Sequence, residues 1–328
     1  MKLIVQIPCF NEEKTLPQTI QDIPRQIAGI SEVEILVIDD GSTDNTIDVA
    51  RKNGVDHIVK HTSNKGLAKA FSTGMDACLR LGADIIVNTD GDNQYKGEDI
   101  PKLIKPILKQ KADMVIGDRQ TDKIPHFSFS KKKMQKIGSF VVRKLSGTKA
   151  QDTVSGFRAF SRETALQLNI VSPFSYTIET LIQAGKKHLT VASVPVGTNP
   201  KNRESRLFKS IPNFIERSIS TMIRMYTMYQ PLRIFFYIGS FFIAMGMIPS
   251  IRFLYFYLTG ASTGHIQSLI LASILFIIGF QVYMIGLLAD VIGFNRKLIE
   301  ETLLRVKRVE MDHYSKNEDH RTVPNKTE

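Results

Sequence analysis

Asp84-Ile85-Ile86-Val87-Asn88-Thr89-Asp90-Gly91-Asp92-Asn93-Gln94 is the stretch on which the reading of this chain turns. An apolar run leads straight into two carboxylates separated by one glycine. The first half predicts a short strand. The second half predicts a tight acidic turn at the strand's carboxyl end, where both carboxylates can face one hard cation, directly or through water. Such acidic pairs are common on protein surfaces, so the weight of this one comes from its surroundings.

Outward from that stretch, residues 3–7, 34–38, 57–59 and 113–116 also read as strands. Helical patterns separate them. One covers about residues 12–27, and a short one is capped by Ser42 or Thr43. A third, residues 66–81, carries Leu67, Ala70, Phe71, Gly74, Cys78 and Leu81 on one face. Strands alternating with helices predict an α/β fold with a mostly parallel, Rossmann-like sheet covered on both faces. Ligands of such sheets bind at the carboxyl ends of the strands. Polar clusters stand there four times, at residues 8–12, 39–44, 90–94 and 117–119, and converge on one site. Asp39-Asp40-Gly41-Ser42 suits a nucleoside contact and a solvated, Ser-capped turn equally well.

The 328 residues hold 43 Lys and Arg against 32 Asp and Glu, a net charge of +11. That balance suits nucleic acid, an anionic membrane surface or phosphorylated small molecules. No zinc-knuckle spacing or RNP-like aromatic pair accompanies it, so nucleic acid is not the expected partner. Cys9 and Cys78 stand far apart among apolar residues, which argues against a disulfide framework and for a reducing compartment. The N-terminal apolar stretch, broken by Gln6, reads as a strand and not as a signal peptide.

Residues 234–251 and 266–289 carry no charge, 18 and 24 residues respectively. Each can cross a bilayer core of about 30 Å. The loop at residues 260–265 lacks Lys and Arg, and Arg252 falls near the outer end of the first span, where it can snorkel to the interface. Arg217, Arg224 and Arg233 precede the pair; Arg296, Lys297, Arg305, Lys307 and Arg308 follow it. The positive-inside rule then predicts an integral membrane protein of two spans, with the catalytic domain and the C-terminus cytoplasmic. Residues 207–229 have apolar residues at helical spacing with Lys209, Arg217 and Arg224 among them, which fits an amphipathic helix on the inner leaflet, with Pro212 at its start. The expected division is a catalytic domain at 1–206, interfacial helices at 207–230, a transmembrane pair within 231–298 (about 234–258 and 266–290) and a polar tail at 299–328, unstructured beyond His313. The paired spans also allow a homo-oligomer.

Six motifs occur in order: Pro8-Cys9-Phe10-Asn11-Glu12, Asp39-Asp40-Gly41-Ser42-Thr43-Asp44-Asn45-Thr46, Asn64-Lys65-Gly66-Leu67, Asp90-Gly91-Asp92-Asn93-Gln94, Gly117-Asp118-Arg119 and Ser155-Gly156-Phe157-Arg158. Together they resemble the inverting family 2 glycosyltransferases of GT-A fold. Within these the likeness is to the polyprenyl-phosphate branch, which includes dolichyl-phosphate mannose synthases and bactoprenol glucosyltransferases. The resemblance covers residues 1 to about 206, and the paired spans resemble the anchor of several members. It implies a nucleotide sugar as donor (UDP-glucose, UDP-N-acetylglucosamine or GDP-mannose), a polyprenyl phosphate as acceptor, and Mg²⁺ or Mn²⁺.

The resemblance also implies roles. Pro8, Phe10, Glu12 and Ile38 line the nucleoside pocket. Asp40 contacts the base, with Asp39 beside it. Asp90, Gly91 and Asp92 face the sugar diphosphate, and Gln94 completes the metal coordination of Asp90 and Asp92. Arg119 meets phosphate charge at the reaction centre and joins Asp90 and Asp92 as the catalytic set. Lys131, Ser155 and Arg158, with Arg119, face the acceptor phosphate, and Arg206 clamps the donor diphosphate. Ser175 stands where mannose synthases can carry a Lys.

A phosphate monoester has a second pKa near 6 and is largely dianionic at neutral pH, so it can attack the anomeric carbon without a strong general base. His57 and His61 accordingly read as structural or exposed. The expected chemistry is inverting displacement, driven by positioning and charge neutralisation. A processive polysaccharide synthase would carry Gln-x-x-Arg-Trp, and this chain has no tryptophan. A Rossmann oxidoreductase would carry G-x-G-x-x-G after the first strand. A non-enzymatic membrane scaffold with a glycosyltransferase-like domain would be expected to lose its acidic pair, which is intact here.

Overall fold

The computed structural model describes residues 1–120, 129–172, 176–200, 211–260 and 266–322. Of residues 129–137, 211–215, 217, 218, 225, 312 and 315–322 it describes the backbone alone. The first half alternates as expected: β1 (Lys2–Cys9), α1 (Leu16–Gln21), β2 (Glu32–Asp39), α2 (Thr46–Lys52), β3 (His57–Lys60), α3 (Leu67–Arg80) and β4 (Ile85–Asn88). Then come α4 (Ile100–Leu108), β5 (Met114–Asp118), α5 (Phe129–Ser146), β6 (Arg158–Ser161), α6 (Arg162–Gln167), α7 (Tyr176–Lys186) and β7 (Val191–Pro195). One sheet takes all seven strands in the order β3-β2-β1-β4-β6-β5-β7. Every pairing is parallel except those of β6, which runs antiparallel to β4 and β5.

Strands β1 and β4 are mostly apolar because both faces of the sheet are covered, with Gln6 and Asn88 their buried polar residues. Leu3, Ile4, Val5 and Ile7 of β1 and Ile85, Ile86 and Val87 of β4 are all fully buried. The register pairs Cys9 with Asp39 and Gln6 with Asn88, so β1, β2 and β4 finish on one edge. That edge carries the acidic turn. Two helices differ from the sequence reading. The first is confined to Leu16–Gln21, because the Glu12 carbonyl closes a turn by accepting from Thr15 and Leu16 N–H, and Pro24 has no N–H to offer further on. The second begins at Thr46, not behind Ser42 or Thr43, because the Ser42 hydroxyl accepts the Asn11 N–H at 2.9 Å.

The chain divides into two compact units, Met1–Met222 with Leu304–Glu328, and Ile223–Leu303. Helix α8 (Ile211–Tyr229) has Pro212 as its second residue, where a missing N–H does no harm. The smaller unit holds α9 (Pro231–Leu258) and much of α10 (Ile266–Thr322). Both helices are long and apolar enough to cross a membrane. Between them Ser240 and Tyr283 share a 2.8 Å hydrogen bond, while Tyr237, Ile248 and Leu258 are at least 70% exposed.

Of the tail expected to be unstructured beyond His313, residues 314–322 are helical, and 323–328 lie outside the described residues. Helix α10 runs on through Thr322, and its residues from Leu304 belong to the larger unit. There Lys307 Nζ donates to Asn169 Oδ1 at 2.8 Å, and Arg80 pairs with Glu310 at 3.0 Å and donates to the Tyr314 hydroxyl at 3.0 Å. Met311 is 2% exposed. Partners on α3 and beside α6 order this segment, and composition alone does not reveal them.

Candidate active site

The acidic turn after β4 is clamped by three distant segments. From the segment ahead of α1, the Thr15 hydroxyl lies 2.8 Å from both the Glu12 carboxylate and the Gly91 carbonyl. A Cβ on Gly91 would lie 3.0 Å from Cys9 Sγ and 3.3 Å from Glu12 Cγ, so the residue between the two carboxylates has no room for a side chain. Beyond β7, Asn199 donates from its side chain to the Asn93 carbonyl at 3.1 Å and from its backbone to the Gln94 carbonyl at 3.0 Å. Within the turn, Gln94 N–H donates to Asp92 Oδ1 at 3.1 Å, and Asn93 takes a φ of 54° that Asn tolerates better than most residues.

The third clamp lies behind Asp90. Asn88 accepts from Gln6 Nε2 at 2.9 Å and donates to the Gly156 carbonyl at 2.8 Å and the Tyr176 hydroxyl at 3.1 Å. A Cβ on Gly156 would stand 3.0 Å from both Asp90 carboxylate oxygens. Asp90, Asp92 and Gln94 remain partly exposed. Among the described residues no three His, Cys, Asp or Glu side chains gather as a metal site. Two carboxylates and a carboxamide still fit Mg²⁺ or Mn²⁺, hard cations that take oxygen ligands and readily complete their shell with phosphate and water.

The acidic pair after β2 behaves differently. Asp40 is 3% exposed. Its Oδ1 accepts His61 Nδ1 at 2.7 Å and Lys65 N–H at 2.9 Å, and its Oδ2 accepts Gly66 N–H at 2.8 Å. His61 passes the contact on to the Thr73 hydroxyl at 3.0 Å, which makes it a structural histidine. Asp40 therefore ties β2 to the start of α3 and does not present an open carboxylate to a base, as the resemblance implied. Asp39 is fully buried, accepts Ser42 N–H at 3.1 Å through Oδ1, and has no hydrogen-bond partner for Oδ2. Pro8 and Ile38 are neighbours across the β1–β2 register, Phe10 is 37% exposed, and Glu12 is buried.

Arg119 follows β5 and is bound side-on by Asp152. Its Nε donates to Asp152 Oδ2 at 2.6 Å and its Nη2 to Oδ1 at 3.0 Å. The Tyr95 ring lies 6.0 Å from the guanidinium carbon. Burial opposes the charge on Arg119, but Tyr95, Asp152 and Asp90 outweigh it and hold the pKa above the ordinary arginine value.

Two residues expected at the acceptor phosphate are fully buried. Arg158 opens β6 and is fully buried. It donates to the carbonyls of Ser155 (2.8 Å), Thr177 (2.7 Å) and Thr153 (2.9 Å) and to the Thr180 hydroxyl (2.7 Å). Burial pulls its pKa down to about 10. Ser155 is also fully buried, 3.5 Å from the Tyr95 hydroxyl. Both hold the loop beneath Asp90 and neither reaches solvent. Their acceptors come from the loop itself and from α7, which the Ser-Gly-Phe-Arg motif does not display. Of Lys131 only the backbone in α5 is described, and Arg206 lies outside the described residues.

The sequence reading missed Tyr95, Asp152 and Tyr176. Asp152 had a signal: it is the one acidic residue between Asp122 and Glu163, a stretch holding ten Lys and Arg.

Comparison with known proteins agrees with this fold. A UDP-N-acetylglucosamine–dolichyl-phosphate N-acetylglucosaminyltransferase of Methanococcus voltae is 30% identical over 213 residues, 58% of this chain and 83% of that protein. An undecaprenyl-phosphate mannosyltransferase of Micrococcus luteus is 27% identical over 206 residues, 60% of this chain and 83% of its own length. Among solved structures, glucosyl-3-phosphoglycerate synthase from Mycobacterium tuberculosis, crystallised with Mn²⁺, UDP-glucose and phosphoglyceric acid, superposes with a TM-score of 0.54. It is 20% identical, with 69% of this chain and 79% of that one covered, and the likeness bears out the GT-A arrangement. Residues 4–167, from β1 to the end of α6, match the family model described as glycosyl transferase family 2. The acidic turn and its clamps fall almost wholly within that span, and the chain belongs to glycosyl transferase family 2.

Proposed function

We propose that this chain is a membrane-anchored glycosyltransferase that moves one hexosyl residue from a nucleotide sugar to a polyprenyl phosphate, with a divalent metal and with inversion. The observation that carries the reading is the acidic turn. Asp90 and Asp92 are fixed by three segments of the fold and still face solvent, while the neighbouring carboxylates Asp40 and Asp152 are bound within it. The relatives named for dolichyl and undecaprenyl phosphate support the acceptor class, and the two apolar helices support the anchor. Those relatives differ in sugar, so UDP-glucose, UDP-N-acetylglucosamine and GDP-mannose all stand as donors.

Asp90, Asp92 and Gln94 would hold Mg²⁺ or Mn²⁺, which supplies charge neutralisation for the leaving nucleoside diphosphate. Asp39 Oδ2 accepts a hydrogen bond from the nucleoside, within walls formed by Pro8, Phe10, Glu12 and Ile38. Arg119 turns its remaining N–H groups to phosphate, and Arg206 and Lys131 add positive charge. The acceptor phosphate is already anionic, so no residue need act as a strong base. Ile219 (46% exposed) and Ile223 (59%) of α8 lie against the inner leaflet, with the catalytic unit and C-terminus cytoplasmic.

The test is direct. The full chain in detergent is given each labelled nucleotide sugar with a polyprenyl phosphate. One donor is expected to yield a lipid-soluble labelled product that disappears in EDTA and returns with Mn²⁺. Undiminished activity in EDTA removes the metal, and absence of lipid-linked product from every donor removes the acceptor assignment.

A further inference from the structure

Arg296 belongs to the smaller unit and is the first cation after the second apolar run, as Arg233 is the last before the first. Val291, Ile292 and Phe294, each at least 59% exposed, carry the apolar surface of α10 up to it. A cation at that boundary stands at the depth of lipid phosphates.

Its side chain is held in a fixed plane. The guanidinium carbon lies 4.0 Å from the centroid of the Tyr229 ring, at the end of α8. Nη1 donates to Glu300, one turn further along α10. That leaves the opposite edge of the guanidinium, where Nε–H and one Nη2–H point together as a fork matched to two oxygens. Glu300 is the one hydrogen-bond acceptor that the described residues offer this side chain, and Nε is enclosed with no partner among them. An enclosed N–H without an acceptor is costly to keep. Arg119 shows the contrast, since there Asp152 fills the same fork with both carboxylate oxygens. Arg233 brings a second cation to this end of the pair, donating to Gln230 Oε1 beside Tyr229 at 3.4 Å.

We propose that Arg296 is a binding site for a lipid phosphate at the cytoplasmic end of the two spans: Nε–H and Nη2–H donate to two phosphate oxygens, while Tyr229 and Glu300 hold the guanidinium plane. Seating both oxygens takes a slide of the guanidinium over the Tyr229 ring, which a stacked cation permits. Polyprenyl phosphate and anionic phospholipid share this chemistry and present it at the same depth. The inference rests on the reading of α9 and α10 as membrane spans and needs nothing from the acidic turn.

The full chain in detergent is mixed with undecaprenyl phosphate, phosphatidylglycerol or a neutral diacylglycerol, and bound lipid is counted by native mass spectrometry. The parent is expected to retain one phosphate-bearing lipid and no diacylglycerol. Selective retention of undecaprenyl phosphate supports the site as one for the acceptor, and equal retention of phosphatidylglycerol supports it as one for bulk headgroups. Arg296→Lys keeps a charge beside Tyr229 and Glu300 but lacks the fork. It is expected to bind roughly tenfold more weakly with little change in melting temperature, the scale of a bidentate charge-assisted pair. Arg252→Gln, which removes a charge elsewhere in the same unit, is expected to bind like the parent. Parent-like binding by Arg296→Lys overturns the inference, as does an equal loss in Arg252→Gln or a parent that retains no phosphate-bearing lipid. Release of the chain from membranes by alkaline carbonate overturns the reading of the spans, and this inference with it.

Discussion

Asp39-Asp40 and Asp90-Gly91-Asp92 look alike in the sequence. Each follows an apolar run, each contains or precedes a glycine, and each sits at the carboxyl end of a parallel strand. The fold treats them in opposite ways. The first pair is 0% and 3% exposed and takes up backbone N–H groups of Ser42, Lys65 and Gly66. The second is partly exposed, and distant residues grip the backbone of its turn at the Gly91 and Asn93 carbonyls. Asp40 uses both its oxygens in closing its own turn, whereas the second turn is closed largely by residues from elsewhere and its carboxylates stay partly exposed. That difference separates stability from chemistry along one edge of the sheet.

Substituting the open pair tests this with the largest effect. Asp92→Asn keeps an oxygen for the Gln94 N–H but loses the charge. Turnover is expected to fall by about two to three orders of magnitude, the scale of removing a preorganised electrostatic group. The melting temperature in detergent should stay close to that of the parent. A variant with near-parent turnover would erase the distinction between the pairs.

The closed pair predicts the converse. Asp40→Asn offers one acceptor oxygen in place of two and puts an NH₂ group against a donor. A loss of roughly 1–3 kcal/mol is expected, typical of a buried hydrogen-bonded carboxylate losing a partner. It should appear as a melting temperature lower by several degrees, with nucleotide affinity of the folded fraction little changed. An unchanged melt with lost nucleotide binding would return Asp40 to the nucleoside pocket.

How much of this the sequence revealed follows from where each partner comes from. Strands β1, β2, β4 and β5 were legible because their own residues form continuous apolar runs. Strand β6 was not, since it opens on Arg158, a charge that is tolerable inside only because acceptors at Thr153, Ser155, Thr177 and Thr180 surround it. The acidic turn was visible as a motif. Which carboxylates remain open was not, because Asp40 is closed by residues 61–66 and Arg119 by a partner 33 positions away. The helical C-terminal segment escaped for the same reason, its order coming from Arg80 and Asn169 and not from its own composition.

The smallest effect belongs to Asp44, the third carboxylate of the Asp39–Thr46 motif, which is closed like Asp40 but partly exposed. Its Oδ1 accepts Thr46 N–H at 3.0 Å and the Thr46 hydroxyl, and its Oδ2 accepts Glu13 N–H at 3.2 Å. Burial raises its pKa, but the Thr46 and Glu13 donors outweigh burial and hold it below the ordinary aspartate value. The unfolded chain therefore takes up this proton first as pH falls. The carboxylate stabilises the fold above the unfolded value of about 3.9, and the contribution disappears as pH drops through the lower folded value. Asp44→Asn is accordingly expected to lower the melting temperature slightly at pH 7, by less than about 1 kcal/mol for so exposed a group. The gap should close as the acid limb is descended. Melts of parent and variant across pH 7 to 3 check this. A gap that stays constant with pH would mean that Asp44 acts through packing, and that its charge does not belong with the closed carboxylates.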